Sequence, residues 1–366
     1  MNNSNIYPTA FDLKEFCCHF LKRASLNKFA QSQGVFLVNA GSDDIAETLS
    51  HVIMERKKIE FLREEGYQAT ASCSMSGFNI VAGPDFSLDT AYTEIRDGNH
   101  DFHSKGYTLG NIRKEKTGDG KVLFRASIDY EKKRPGRIEF MESDLGSSDF
   151  VMFETQEGKW QIEVNGSKAN DGREVKKVFE MILRLKGTKG ASIQTLEIDD
   201  LTAKQTIAFF DRLMPNGLGV EWTFQDVKQL TFKRAKDDKD DDDEENATDS
   251  DLMGIKQAIL EGKNLREADF VKKFEKQGCM FTAMTLEYSH KSLPKTVRMH
   301  AEFKGNPKIF EVSLVKYMET FTDENGTRLE AATLPKEESL SLQSLFWNNA
   351  RTIFYSTKGS IIPTTN

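Results

Sequence analysis

The sequence predicts an α+β protein, and three observations carry that expectation. Segments of helical period and segments of period two both occur, and the strands come in consecutive runs instead of alternating one for one with helices. Within Thr296–Lys304, Val297, Met299, Ala301 and Phe303 alternate strictly with Arg298, His300, Glu302 and Lys304, the pattern of an antiparallel sheet with one face on a core and one in water. The chain also carries 26 phenylalanines among 366 residues, ample bulk for a real core.

Taken in order, Thr9-Ala-Phe-Asp12 is a capping box that opens a helix to about Ser25, with Phe16, Phe20 and Leu21 on its apolar side. After Gly34, the run Val35–Asn39 suits a buried strand, and Gly41-Ser42-Asp43-Asp44 then enters a helix with Ile45, Leu49, Val52 and Ile53 at helical spacing. The two aspartates would repel a phosphate at that helix start, so strand and helix here carry no nucleotide fingerprint. From Tyr107 to Val164 the period is two. Asp119-Gly120 joins Tyr107–Lys116 to Lys121–Tyr130, and Ile138–Glu142, Phe150–Thr155 and Trp160–Val164 continue a meander. A helix follows from about Arg173 to Lys186, stopped by Gly187. Then come a strand at Ser192–Ile198, a second capping box at Thr202-Ala-Lys-Gln205 opening a helix to Met214, and strands at Val220–Phe224 and Leu230–Phe232. Beyond residue 251 the pattern reads as two short helices, the second capped at Asn264-Leu-Arg-Glu267 and stopped by Gly278. Strands Cys279–Tyr288, Thr296–Lys304 and Ile309–Met318 follow, and then a helix from near Pro335 carrying Leu342, Leu345, Phe346, Ile353 and Phe354. No internal repeat with a period of 20–50 residues is visible.

Length argues for two or three domains. Residues 234–251 hold ten acids and three bases, so this run alone accounts for the net charge of −7. Such a run repels itself and buries no apolar surface. It reads as an acidic, disordered linker between an N-terminal part, 1–233 (divisible into 1–104 and 105–233), and a C-terminal α+β domain, 252–366. Four scattered cysteines without a C-x-x-C, no leader-like N-terminus and no apolar run of ~20 residues suggest a reducing cytoplasm and no membrane.

Chemistry is thinly marked. Asp97-Gly-Asn-His-Asp-Phe-His103 gathers metal-capable side chains, and Gly98-Asn-His-Asp101 resembles one motif of the calcineurin-like metallophosphatases. The family's other motifs are absent from this sequence, so its activity is not carried over. Asp149 and Glu163 fall on neighbouring expected strands, as a Mg²⁺ nuclease would need, but Asn165 stands where that chemistry wants a lysine. Gly118-Asp-Gly-Lys121 lacks phosphate-loop spacing, and neither G-x-G-x-x-G nor G-x-S-x-G occurs. No catalytic residue, metal or cofactor is assigned.

The most suggestive feature is basic. Between residues 105 and 137, Lys105, Arg113, Lys114, Lys116, Lys121, Arg125, Lys132, Lys133, Arg134 and Arg137 face four acids, with Tyr107, Phe124 and Tyr130 interleaved. Cations on projecting hairpins neutralise phosphates, and strand-borne aromatics stack on bases. The expectation is a non-enzymatic binding or scaffold subunit that contacts nucleic acid, or a protein that handles it, through these ten residues. A metal-dependent hydrolase at Asp149 and Glu163, or at His100, Asp101 and His103, is the alternative. So is a protein–protein adaptor or homo-oligomer using the polar sheet face at Arg298, His300 and Glu302.

Overall fold

The computed structural model describes residues 7–359 apart from 22, 39, 53–54, 70–73, 99–101, 103–104, 117–119, 134–142, 167–170, 189, 235–256, 277, 324–325 and 333. The expected strand Ile138–Glu142, the cluster His100, Asp101 and His103, and most of the acidic run lie outside the described residues.

Four helices come first: α1 (Ala10–Phe20), α2 (Arg23–Ser32), α3 (Ser42–Ser50) and α4 (Arg56–Ala69). The Thr9 capping box forms as expected, its Oγ1 accepting from Asp12 N at 3.1 Å while Asp12 Oδ2 accepts from Thr9 N at 3.0 Å. The helix it opens stops sooner than expected, because Leu21 is extended and a second helix begins at Arg23. Phe16, Leu26, Ile45, Leu49 and Leu62 form a small core of their own. The strand expected at Val35–Asn39 does not form over the described residues 35–38. Gly34 turns left-handed at φ +76°, Val35 N closes back on Ala30 O at 2.9 Å, and Phe36 and Val38 are 75% and 88% exposed. A short apolar run becomes a strand only beside another strand that takes up its backbone groups.

The rest of the chain folds into one mixed-length antiparallel sheet with helices on both faces. Its first portion runs β1 (Ser74–Val81), α5 (Leu88–Asp97), β2 (Tyr107–Leu109), β3 (Arg113–Lys116), β4 (Val122–Lys133), β5 (Ser143–Gln156), β6 (Lys159–Gly166) and α6 (Asp171–Leu185). The second runs β7 (Ser192–Thr195), α7 (Ala203–Asn216), β8 (Trp222–Arg234), β9 (Gln257–Glu261), α8 (Asp269–Lys276), β10 (Cys279–His290), β11 (Lys295–Lys304), β12 (Ile309–Asp323), β13 (Gly326–Ala331) and α9 (Lys336–Lys358). Each portion is a strand, a helix, a set of antiparallel strands and a closing helix, with α8 inserted among the strands of the second, so the architecture repeats at a period far beyond 50 residues. In each, the opening strand lies beside the long strand next to the closing helix. β1 pairs with β6, and the tail of β7 meets β12 through Phe310 N to Leu196 O at 2.9 Å and Ile198 N to Lys308 O at 3.1 Å.

The sheet order is β2-β4-β5-β6-β1-β12-β11-β10-β8-β9, with β3 on β4, β7 on β1 and β13 on β12. In the first repeat, Phe78, Phe150, Met152, Ile162 and Val164 turn to α5 and α6. In the second, the helices lie on the opposite face. Leu230, Phe232, Phe281, Met299, Phe310 and Val312 pack there with Phe209, Phe210, Trp347 and Phe354. Each buried phenylalanine contributes about 2–3 kcal/mol of transfer free energy.

The packing divides the chain elsewhere than at the acidic run. The strands on either side of it, β8 and β9, are antiparallel neighbours with Lys233 opposite Gln257, and β8 also pairs along β10. Residues 196–232 and 265–354 therefore share one core. The segment expected as the first of two short helices is strand β9, because Ala258, Ile259 and Leu260 find a partner in β8. The two strands expected at Val220–Phe224 and Leu230–Phe232 are one bulged strand, β8. The boundary considered at 104/105 also falls inside a core, since Tyr92 and Ile95 of α5 pack with Phe150 and Phe179.

Candidate binding groove

On the face of the first repeat turned away from α6, three rows of side chains cross the strands. One reads Arg113, Arg125, Val151, Glu163 and Gly77 across β3, β4, β5, β6 and β1. Its neighbour reads Ser127, Asp149, Asn165 and Met75. The third includes Glu115 opposite Leu123, and Phe153, Gln161 and Asn79 in line. The face is polar because nothing from the first repeat covers it. Helix α9 of the second repeat stands over its β1–β6 side, and sheet and helix enclose an open groove of about 1210 Å³. Lys336, Glu337, Leu340, Ser341, Ser344 and Asn348 form the helical wall.

A polar network seats that wall. Glu163, 9% exposed, accepts at Oε1 from Gln161 Nε2 (2.8 Å) and Asn348 Nδ2 (2.8 Å), and at Oε2 from Ser344 Oγ (2.7 Å). Gln161 Nε2 also donates to Asn348 Oδ1 at 2.6 Å. Further along α9, Arg351 Nη1 donates to Asn79 Oδ1 at 3.1 Å, and Asn79 Nδ2 to the Tyr355 hydroxyl at 3.3 Å. Burial holds the Arg351 guanidinium below its ordinary range, against the pull of Tyr355 and Glu163. Trp347 lies against Gly77, where an added Cβ would come within 2.5 Å of Ile162 O and 2.7–2.8 Å of the indole.

Among the described residues the basic side chains are divided between the two faces of the sheet. Arg113, Lys121 and Arg125 line the groove. Arg125 is committed to Glu115 at 2.7 Å. Lys114 and Lys116 sit opposite Phe124 and Val122, on the other face, with Lys114 Nζ 5.7 Å from the Phe124 ring centre. Lys105 is exposed in the turn before β2. Lys132 and Lys133 have only their backbone described, in β4, and Arg134 and Arg137 lie outside the described residues. A four-residue edge strand reading Arg-Lys-Glu-Lys has a structural use of its own, since charged side chains keep an open sheet edge from pairing.

Asp149 and Glu163 do share the groove, as diagonal neighbours on β5 and β6. Both oxygens of Glu163 are already taken by neutral donors, which suits a positioning role better than a metal ligand. Among the described residues no group of three or more His, Cys, Asp or Glu side chains is placed to hold a metal ion. The polar face at Arg298, His300 and Glu302 is knitted together by its own strands. Arg298 pairs with Glu287 at 2.7 Å, Glu287 with Lys228 at 3.0 Å, and His300 Nδ1 meets Thr285 Oγ1 at 2.8 Å.

Sequence reading missed the groove because its floor and its wall lie some 180 residues apart in the chain. The local hints were the pair Asp149 and Glu163 and the bases Arg113, Lys121 and Arg125. Among known proteins, no family model and no curated protein matches the chain. A solved structure, DynU16, described as a protein of the dynemicin biosynthetic locus, aligns over 77% of this chain and 99% of its own at 10% identity and a TM-score of 0.20. At that score the likeness carries no argument about fold or activity. Among the described residues no helix is long and apolar enough to cross a membrane.

Proposed function

We propose that the protein is a binding subunit that holds an extended segment of a partner protein in the groove between the first repeat's sheet and α9. The observation supporting this is the groove's balance of charge. Arg113, Lys121, Arg125 and Lys336 share it with Glu115, Asp149, Glu163 and Glu337, and Leu123, Val151, Phe153 and Leu340 lie between them. A uniformly anionic phosphate backbone would pass over Asp149 and Glu163 at an electrostatic cost. A segment carrying both signs and some apolar side chains complements all three classes of lining residue. Cys17 and Cys18 are free thiols, in keeping with a reducing cytoplasm as the place of action.

The test is a photo-reactive amino acid placed at Val151 in the full chain and, as a control, at Lys116 on the opposite face. A peptide adduct at Val151 and none at Lys116 is expected. Equal labelling at both positions, or none at Val151, refutes the proposal.

A second reading keeps nucleic acid as the partner, contacted through Lys105, Arg113, Lys114, Lys116, Lys121, Arg125, Lys132, Lys133, Arg134 and Arg137. What favours it is that Arg113, Lys121 and Arg125 line one groove, with Arg113 directly opposite Arg125. Replacing Lys132, Lys133, Arg134 and Arg137 by glutamate should then abolish retention on single- and double-stranded DNA at low salt. Unchanged retention ends that reading.

A further inference from the structure

The two repeats meet along a forked seam. β1 pairs with β12 at Ser74–Ser313 and Met75–Val312, then parts from it. β7 fills the gap, pairing with β1 from Phe78 to Val81, while Leu196 bonds to Phe310 of β12 and Ile198 to Lys308 just before it. At the crotch, Ser76, Gly77, Phe78, Gly172, Arg173, Thr195, Ile309 and Glu311 surround a cavity of about 10 Å³, close to the size of one water. Glu311 is 5% exposed.

We propose that a proton on Glu311 latches this seam, so that losing it loosens the joint between the two repeats. The surroundings explain why the neutral carboxyl belongs there. From β11, Glu302 stands directly opposite Glu311, with His300 and Lys304 on either side of it in the strand. Glu302 keeps its own charge. Burial opposes that charge, but hydrogen bonds from His300 and Lys304 outweigh it and hold the carboxyl below its ordinary range. From α6 comes Arg173, which donates to the carbonyls of Lys304 and Pro307, and Asp171 lies just before it. From the β7 side come Thr195 and Glu197, the latter 3.5 Å from Lys176. Burial and the charges on Glu302 and Asp171 oppose ionisation of Glu311, and the pull of Lys304 and Arg173 the other way does not outweigh them. Burial first, then the charge on Glu302, push Glu311 up to about 8. Its carboxyl is protonated in the folded chain where an unfolded chain would have ionised it, so stability falls as pH rises from the ordinary carboxylate range to about 8.

The experiment compares the full-length chain with Glu311→Gln across about pH 7 to 9, a window in which an unperturbed histidine is already neutral. Two quantities are followed: the thermal midpoint, and hydrogen exchange of Met75–Phe78, Thr195–Ile198 and Ile309–Val312, corrected for its intrinsic pH dependence. In the wild type the midpoint should fall and seam protection should drop before that of β5 and β6, whereas Glu311→Gln should stay flat. A flat wild type, or an equal slope in both proteins, overturns the latch. Should Glu311→Gln not fold, Glu302→Gln provides the second test. Removing the opposing charge should move the wild-type fall to lower pH, and an unmoved transition overturns the proposal equally.

Discussion

Replacing Gly77 by alanine should unseat α9 from the first repeat, at a cost that can be worked from the geometry. The new Cβ would lie 2.5 Å from the Ile162 carbonyl oxygen and 2.7–2.8 Å from two carbons of the Trp347 ring, all well inside van der Waals contact. The Ile162 carbonyl belongs to β6, which pairs with β1, and so has little room to retreat. The yielding side must be the fully buried Trp347 and the helix that carries it. Overpacking of this kind costs about 1–3 kcal/mol. Ser344, nearly one turn before Trp347 on α9, and Asn348, the residue after it, would draw back from Glu163, adding up to about 1–3 kcal/mol for a buried carboxylate losing its donors. At ~2–4 °C for each kcal/mol, the thermal midpoint should drop by several degrees. Tryptophan emission should shift to the red as Trp347 gains water, and the groove adduct at Val151 should weaken with it. A midpoint and an emission maximum both equal to the wild type would refute the claim that Gly77 makes room for the helix.

Further expectations follow from other contacts. Glu163→Ala removes the acceptor of three hydrogen bonds and should cost about 2 kcal/mol in chemical denaturation, while Glu163→Gln should recover part of that loss, since its amide oxygen still accepts. Tyr130→Phe takes a hydroxyl donor from the fully buried Asp171 at the start of α6, and a loss of about 1–3 kcal/mol is expected in the same measurement. Burial pushes the Cys17 thiol up to about 12, so it stays protonated and unreactive near neutrality. Peptide mapping after native maleimide treatment should find Cys17 unlabelled until the chain is denatured.

How much of this architecture was legible depends on where each element's instructions lie. The alternation in Thr296–Lys304, the capping boxes at Thr9 and Thr202 and the apolar stripe of α6 are local signals, and each produced its element. β1 was invisible because Ser74, Ser76, Gly77 and Asn79 look like a loop. In the fold Gly77 admits Trp347, Asn79 bonds Arg351 and Tyr355, and Ser76 lines the fork. β9 carries residues as suited to a helix as to a strand, and its neighbour β8 decided the matter across a run of acids. The basic cluster was legible as charge but not as direction. Residues one apart in β3 point to opposite faces, so Arg113 enters the groove while Lys114 leaves it.

The position of the acidic run also governs how this molecule can be taken apart. A protease that nicks it would leave a chain cut in two and still held together, because β8 on one piece is flanked by β9 and β10 on the other. Expressing residues 252–366 by themselves would strip that sheet of β8 and its helical layer of α7, baring Phe281 and Phe303 where Phe210 now sits. The natural scissors mark falls instead between Leu185 and Ser192, where α6 has closed one repeat and β7 has yet to open the next.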